Sequence, residues 1–217
     1  MDSLKNINLN YHEIEAIIFD LGGVIIDVNM NYPYNFFSQH SSLSADLLVP
    51  NLKQVAFAYE VGKINDDEFI NNMQNILDVK YSKAEIINIW NGMLGYVPQR
   101  LGALLAQIKQ DKKTFILSNT NPIHIAEVEQ RFAQSITNYS FSSLFDKIYY
   151  SYEIGLHKPD LAIFEYVIKD QRLKPSTTLF IDDNLANVEG ARHCGLKAIH
   201  MNPPMSLPDL FRGQILP

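Results

Sequence analysis

Five short apolar runs, each giving way to polar residues, punctuate the chain. They are Ala16-Ile17-Ile18-Phe19, Thr114-Phe115-Ile116-Leu117, Lys147-Ile148-Tyr149-Tyr150, Thr178-Leu179-Phe180-Ile181 and Lys197-Ala198-Ile199-His200. The runs do not alternate apolar with polar, which predicts strands covered on both faces, as in a parallel sheet. Between them the period changes to three and four. Leu101-Leu104-Leu105-Ile108 and Ile163-Phe164-Val167-Ile168 each draw one apolar stripe along a helix. Asn184 to Cys194 reads as a further helix, closed by Gly195 where a left-handed residue is expected. Strand and helix in alternation predict an α/β fold built on a doubly wound, Rossmann-like parallel sheet.

One interval breaks the rhythm. From Asp20 to Thr114 is far longer than a single crossover needs, and it holds helical patterns of its own, Phe69-Met73-Ile76-Leu77 and Ile86-Ile87-Ile89-Trp90. It is also aromatic, with Tyr32, Tyr34, Phe36, Phe37, Phe57 and Tyr59 placed to pack together. The expectation is an α-helical domain over residues 29–100, inserted into an α/β core made of residues 1–28 and 101–217.

Composition narrows the function classes. The chain has 217 residues, 18 Lys plus Arg against 24 Asp plus Glu, and a net charge of −6. That balance argues against a nucleic-acid or anionic-membrane surface. No stretch approaches the ~20 apolar residues of a membrane span, and the first residues lack a signal-peptide apolar block. The single cysteine, Cys194, excludes an intrachain disulfide framework and suits a reducing compartment. The expected protein is cytoplasmic and globular, with no nucleic-acid or membrane partner.

The polar residues that end the strands carry the chemistry. Asp20 follows the first run, Ser118-Asn119 the second and Asp182-Asp183-Asn184 the fourth, while the loop expected over 151–159 after the third carries Lys158 just before a helix-starting Pro159. In an open parallel sheet, ligands bind outside the carboxyl ends of the strands, so these groups converge. An Asp after a strand is commonly only a turn residue; the set at consecutive strand ends is what signals a site. Clustered carboxylates repel unless a hard cation joins them, and oxygen-only ligation suits Mg²⁺. A hydroxyl, backbone N–H groups and an ammonium beside that cation suit a phosphoryl group, and a carboxylate there can attack phosphorus. Receiver domains use similar parts but place the acidic pair first and the lysine last, an order that this chain does not follow.

Four motifs in this order, Phe19-Asp20-Leu21-Gly22-Gly23-Val24, Leu117-Ser118-Asn119, Lys158-Pro159 and Phe180-Ile181-Asp182-Asp183-Asn184 with Asn187 following, resemble the haloacid dehalogenase-like hydrolase superfamily. The resemblance covers nearly the whole chain, because members with a helical cap carry it where residues 29–100 fall. Within the superfamily the chain is similar to bacterial glucose-1-phosphate phosphatases and to the N-terminal phosphatase domain of soluble epoxide hydrolases. The resemblance implies Asp20 as nucleophile and Mg²⁺ ligand, with the Gly22 carbonyl as a second ligand. It implies Ser118, Asn119 and Gly23 as phosphoryl-binding positions, and Lys158 as the group that neutralises developing charge. Asp183 is implied as the direct metal ligand, since it stands four residues before Asn187, its neighbour in the outer shell. Asp182 is then a hydrogen-bonding neighbour, and the two can exchange roles.

One position departs from the superfamily's pattern. Most of its phosphatases carry a second Asp two residues after the nucleophile, which protonates the leaving oxygen; here that position is Gly22. Asp27 and Glu60 are the candidate replacements, and His157 and Cys194 read as structural. The resemblance therefore implies a Mg²⁺-dependent phosphatase of a small phosphomonoester, such as a hexose 1-phosphate, working through an aspartyl-phosphate. The alternatives are a metal-free C–halogen hydrolase, a phosphoglucomutase, and a catalytically weak phosphate-binding or regulatory module.

Overall fold

A computed structural model describes residues 10–203 and 205–213. Each apolar run forms a strand: β1 (Ala16–Phe19), β2 (Lys113–Ser118), β3 (Lys147–Tyr150), β4 (Thr178–Asp182) and β5 (Lys197–His200). Helices α1 (Tyr32–Gln39), α2 (Ala45–Glu60), α3 (Asp66–Ile76), α4 (Lys83–Asn91) and α5 (Arg100–Asp111) lie between β1 and β2. After β2 comes α6 (Pro122–Ser135), after β3 come α7 (Ser151–Ile154) and α8 (Leu161–Gln171), after β4 comes α9 (Leu185–His193), and α10 (Leu207–Leu210) follows β5.

The strands form one parallel sheet in the order β3-β2-β1-β4-β5. This is the doubly wound α/β arrangement that the strand pattern predicts. Alternate side chains of the buried strands feed two apolar clusters, one on each face. Ile18, Phe115 and Phe180 pack against Phe164 and Val167 of α8. Ile17, Ile116 and Ile181 belong to the opposite cluster, which runs through Leu105 of α5 and Phe132 of α6 into Phe37, Leu52, Phe69 and Trp90 of the inserted helices.

The crossovers on the two sides of β1 leave in different directions, and that switch point opens the crevice where such sheets bind ligands. Register brings the chemistry to it. Phe19 pairs with Ile116 on one side and Ile181 on the other. Asp20, the end of β2 and Asp182 therefore leave the sheet side by side.

Local signals explain the helix boundaries. Asn65 with Glu68 and Ser82 with Glu85 form capping boxes that start α3 and α4. Asn121 caps α6 ahead of Pro122, and Asn184 caps α9. Gly195, at φ 81°, ends α9 in the left-handed region as the sequence predicts.

Four details differ from the sequence reading. Ser118 and Asp182 are the last residues of their strands instead of the first residues after them. The loop expected at 151–159 begins with a helical turn, because Ser151 directly follows β3 and Gly155 closes the turn at φ 68°. Pro159 does not start a helix: its peptide bond to Lys158 is cis, and α8 begins at Leu161 after Asp160. The six aromatics of the insertion do not form one cluster. Phe37 and Tyr59 are buried, with Tyr59 stacked on Phe69, whereas Tyr32 and Phe57 are exposed and Phe57 meets His157. One face of each helix must point outward, and these residues fall on it.

Candidate active site

The polar residues at the strand ends converge on one buried ion cluster. The Lys158 ammonium donates to Asp20 Oδ1 at 2.8 Å and to Asp182 Oδ2 at 2.6 Å. Lys158 is 1 % exposed and Asp182 is fully buried, so water does not share these contacts. Two carboxylates hold Lys158 charged against the opposing effect of burial and raise its pKa. Burial pushes the Asp20 carboxyl up to about 7, and Asp182 adds to that push against the pull of Lys158. Asp183, on the cavity side of the cluster, is also raised, first by partial desolvation and then by Asp182.

Carboxylate oxygens of Asp20, Asp182 and Asp183 lie within 4.8 Å of one another. Three carboxylates face one ammonium, an excess of negative charge that a divalent cation relieves, and a donor set made of oxygens alone fits Mg²⁺. The donors are not equivalent. Both Asp182 oxygens are occupied: Asn187 Nδ2 donates to each at 3.1 Å, and the Asn184 backbone N–H donates to Oδ1 at 2.8 Å. Asn187 thus serves Asp182, five residues away, and not Asp183, four residues away as the spacing reading has it. The free carboxylate of the pair is the one on Asp183.

Gly23 shapes this corner. Its φ is 71°, and a Cβ there would stand 2.3 Å from Asp183 Oδ2. Only a residue without a side chain lets the loop after β1 approach the acidic pair so closely. The Gly23 N–H donates to the Ile26 carbonyl and closes that loop.

Asn119 contributes in a way its sequence position does not reveal. Its side-chain amide grips the Lys158 backbone, with Nδ2 donating to the Lys158 carbonyl and Oδ1 accepting the Lys158 N–H, both at 2.9 Å. This pair of hydrogen bonds fixes where the lysine enters the cluster. Thr120 and Ser151, absent from the sequence reading, tie the same two strand ends together. The Thr120 N–H donates to Ser151 Oγ at 3.0 Å, and that hydroxyl donates back to the Thr120 carbonyl.

A cavity of about 440 Å³ opens over the cluster, lined by Asp20, Gly22, Ser118, Asn119, Lys158 and Asp183 among others. A smaller one of about 50 Å³ shares Gly22, Ser118 and Asn119 with it and adds Glu60 and His124. A third, of about 220 Å³, lies among Tyr34, Lys53, Phe57, Glu60 and His157. Asp20, Gly22, Ser118, Asn119, Lys158, Asp183 and Asn187 of the sequence reading line this crevice, Gly23 and Asp182 lie behind its wall, and the candidate acids separate. Asp27 is exposed and lines none of these three cavities, whereas Glu60 lines two. A larger groove, of about 1050 Å³ around Tyr96, Arg100 and Arg131, holds none of the motif residues. Among the described residues no helix is long and apolar enough to cross a membrane.

Comparison with known proteins agrees with this geometry. A family model described as haloacid dehalogenase-like hydrolase matches residues 14–195. D-ribitol-5-phosphate phosphatase of Bacteroides thetaiotaomicron is 28 % identical over 187 residues, covering 85 % of this chain and 90 % of its own. A sesquiterpene phosphatase of Aspergillus oryzae is 25 % identical over 195 residues, with coverage of 88 % and 92 %. The crystal structure of a HAD family enzyme of Bacteroides thetaiotaomicron, in complex with magnesium and inorganic phosphate, superposes with a TM-score of 0.80. It is 26 % identical, and the match covers 92 % of this chain and 100 % of that one.

Proposed function

This chain belongs to the haloacid dehalogenase-like hydrolase family, and on that premise we propose that it is a Mg²⁺-dependent phosphatase of a small phosphomonoester, with Asp20 as nucleophile. The observation that carries the reading is the position of Asp20: at the floor of the cavity, held by Lys158, beside an acidic pair and next to the Ser118–Asn119 strand end. The relatives support the same class of reaction, since two are named phosphatases and a solved structure similar to this chain holds magnesium and phosphate.

In this reading Asp20, the Gly22 carbonyl and Asp183 hold Mg²⁺, with Asp182 fixed behind them by Lys158 and Asn187. The bound cation supplies charge neutralisation for the phosphoryl oxygens and keeps Asp20 ionised. Ser118 and the Asn119 N–H orient the phosphoryl group, and Gly23 leaves room for it. The Asp20 carboxylate attacks phosphorus as the bond to the ester oxygen breaks, and the leaving oxygen takes a proton. Water then attacks the aspartyl-phosphate, releases inorganic phosphate and restores the carboxylate. Lys158, already bonded to the attacking group, balances the negative charge that builds up on the transferring phosphoryl.

Helices α1–α4, within residues 29–100, act as the cap that closes over the ester and excludes water. The polar groups they bring to the third cavity, Tyr34, Lys53 and Glu60, suit a hydroxylated leaving group, and with the relative that acts on D-ribitol 5-phosphate they favour a sugar or sugar-alcohol phosphate. The test is a panel of such phosphates with p-nitrophenyl phosphate, with Mg²⁺ and with EDTA. Wild type hydrolyses them only with Mg²⁺, and Asp20→Asn releases no phosphate above background. Turnover by Asp20→Asn at the wild-type rate, or turnover that survives EDTA, overturns the reading.

A further inference from the structure

An alkyl ester leaves as a poor alkoxide unless it is protonated, and most titratable groups of the crevice are already committed. On the reading above Asp20 attacks and Asp183 serves the cation, while Asp182 is held by Asn187 and Lys158, whose ammonium is shared by two carboxylates. His124 is held at both ring nitrogens, by Asn121 and by the Trp90 carbonyl, and burial lowers its pKa to about 4. One titratable side chain lining a cavity shared with Gly22, Ser118 and Asn119 is left over, that of Glu60, the last residue of α2.

Its orientation follows from a chain of contacts. The Asn119 amide cannot flip, because the Lys158 backbone N–H and carbonyl read its two ends. Its Nδ2 is therefore the group facing His157 Nδ1 at 3.2 Å, and Nδ1 must accept. The ring proton then sits on Nε2, which donates to Glu60 Oε2 at 3.1 Å. Phe57 packs edge-on against the imidazole at 5.1 Å and holds the ring in place. His157 thus engages one carboxyl oxygen of Glu60 and leaves the other for the cavity. Lys53 and Tyr34 line the third cavity together with Glu60.

We propose that Glu60 is the proton donor to the leaving oxygen, and that His157, itself oriented by Asn119, is its positioning residue. The proton passes from the Glu60 carboxyl to the ester oxygen as the phosphorus–oxygen bond breaks. The resulting carboxylate then takes a proton from the water that attacks the aspartyl-phosphate, so the cycle closes with no net change. The inference rests on the phosphatase reading above and adds a catalytic role for an inserted helix, ninety-seven residues from its partner on the core.

Leaving-group dependence tests it. Kinetic constants for ribitol 5-phosphate and p-nitrophenyl phosphate are measured for wild type and Glu60→Gln, which keeps the size of the side chain. Loss of a general acid costs about 10²–10⁴-fold in kcat on the alkyl ester, whereas p-nitrophenolate leaves without one and its kcat falls less than about tenfold. His157→Gln, which keeps an N–H donor for Glu60, retains more alkyl-ester activity than His157→Leu. Equal losses on both esters in Glu60→Gln mean that the contact only latches α2 to the core, and they overturn the assignment. So does an unchanged alkyl-ester kcat. A wild type that hydrolyses p-nitrophenyl phosphate but shows equal losses in the variant leaves the phosphatase reading standing, whereas a wild type that hydrolyses neither ester removes both.

Discussion

The strand ends and the inserted helices meet across the same crevice but hold their polar groups differently. At the strand ends Lys158 and Asp182 are gripped from several directions. Lys158 has two carboxylates and an amide clamp on its backbone, and Asp182 accepts from Lys158, Asn184 and Asn187. On the helical side, Glu60 has a single bond from His157, and Lys53 reaches the cavity from an exposed position on one helix. Rigid placement suits the reacting groups, where a small displacement costs rate. Looser placement suits elements that move on closure, and on the reading proposed above Glu60 is brought to its working position through His157.

If the contrast is sound, the heaviest damage comes from the gripped side. Lys158→Met leaves Asp20 and Asp182 buried without a counter-charge. We expect a stability loss of about 3–5 kcal/mol by denaturant unfolding, with turnover down by at least about 10²-fold. A variant that keeps wild-type stability would show that the cluster is not the anchor described above.

The boundary between the two regions answers to pH. His124, on α6, stacks on Trp90 of α4 and is kept neutral by burial, with a pKa of about 4 against 6.5 in the unfolded chain. Below pH 6.5 the unfolded chain binds a proton that the folded one refuses, so this contribution to stability falls until about pH 4 and then levels off. The total is about 3 kcal/mol. Unfolding free energies of wild type and His124→Phe, taken from pH 7 to pH 4, should converge by about that amount. Parallel curves would place the histidine in a wetter setting.

The smallest expected effect concerns the loop after β1. Gly23→Ala puts a methyl group against Asp183 and strains a left-handed residue, for about 1–2 kcal/mol. Displacing Asp183 raises the Mg²⁺ concentration needed for half-maximal activity. An unchanged Mg²⁺ dependence would separate Asp183 from the cation.

How far the sequence could be read follows the same division. Strands buried on both faces announce themselves as unbroken apolar runs, and the residue at each end inherits its place from register, so Asp20, Ser118 and Asp182 were legible as one edge. Contacts between segments distant in sequence were not. Nothing near Asn119 signals that its amide holds Lys158, and four-residue spacing pointed Asn187 to Asp183 when one more residue of helix carries it to Asp182. Glu60 is visible only as one of two candidate acids, and His157 reads as structural, because their meeting depends on how α2 lies over the core. The inserted aromatics could be counted but not assigned to faces, since several stripes fit the same spacing.

Strand order has one more consequence. With β1 between β2 and β4, the separations among Asp20, Ser118 and Asp182 are measured off by the backbone ladder, whose rungs repeat at about 4.8 Å whatever side chains surround them. The sheet works as a caliper with its jaws locked. On the reading proposed above, residues 29–100, Glu60 apart, can drift in sequence without resetting the instrument, because none of them sets the gap.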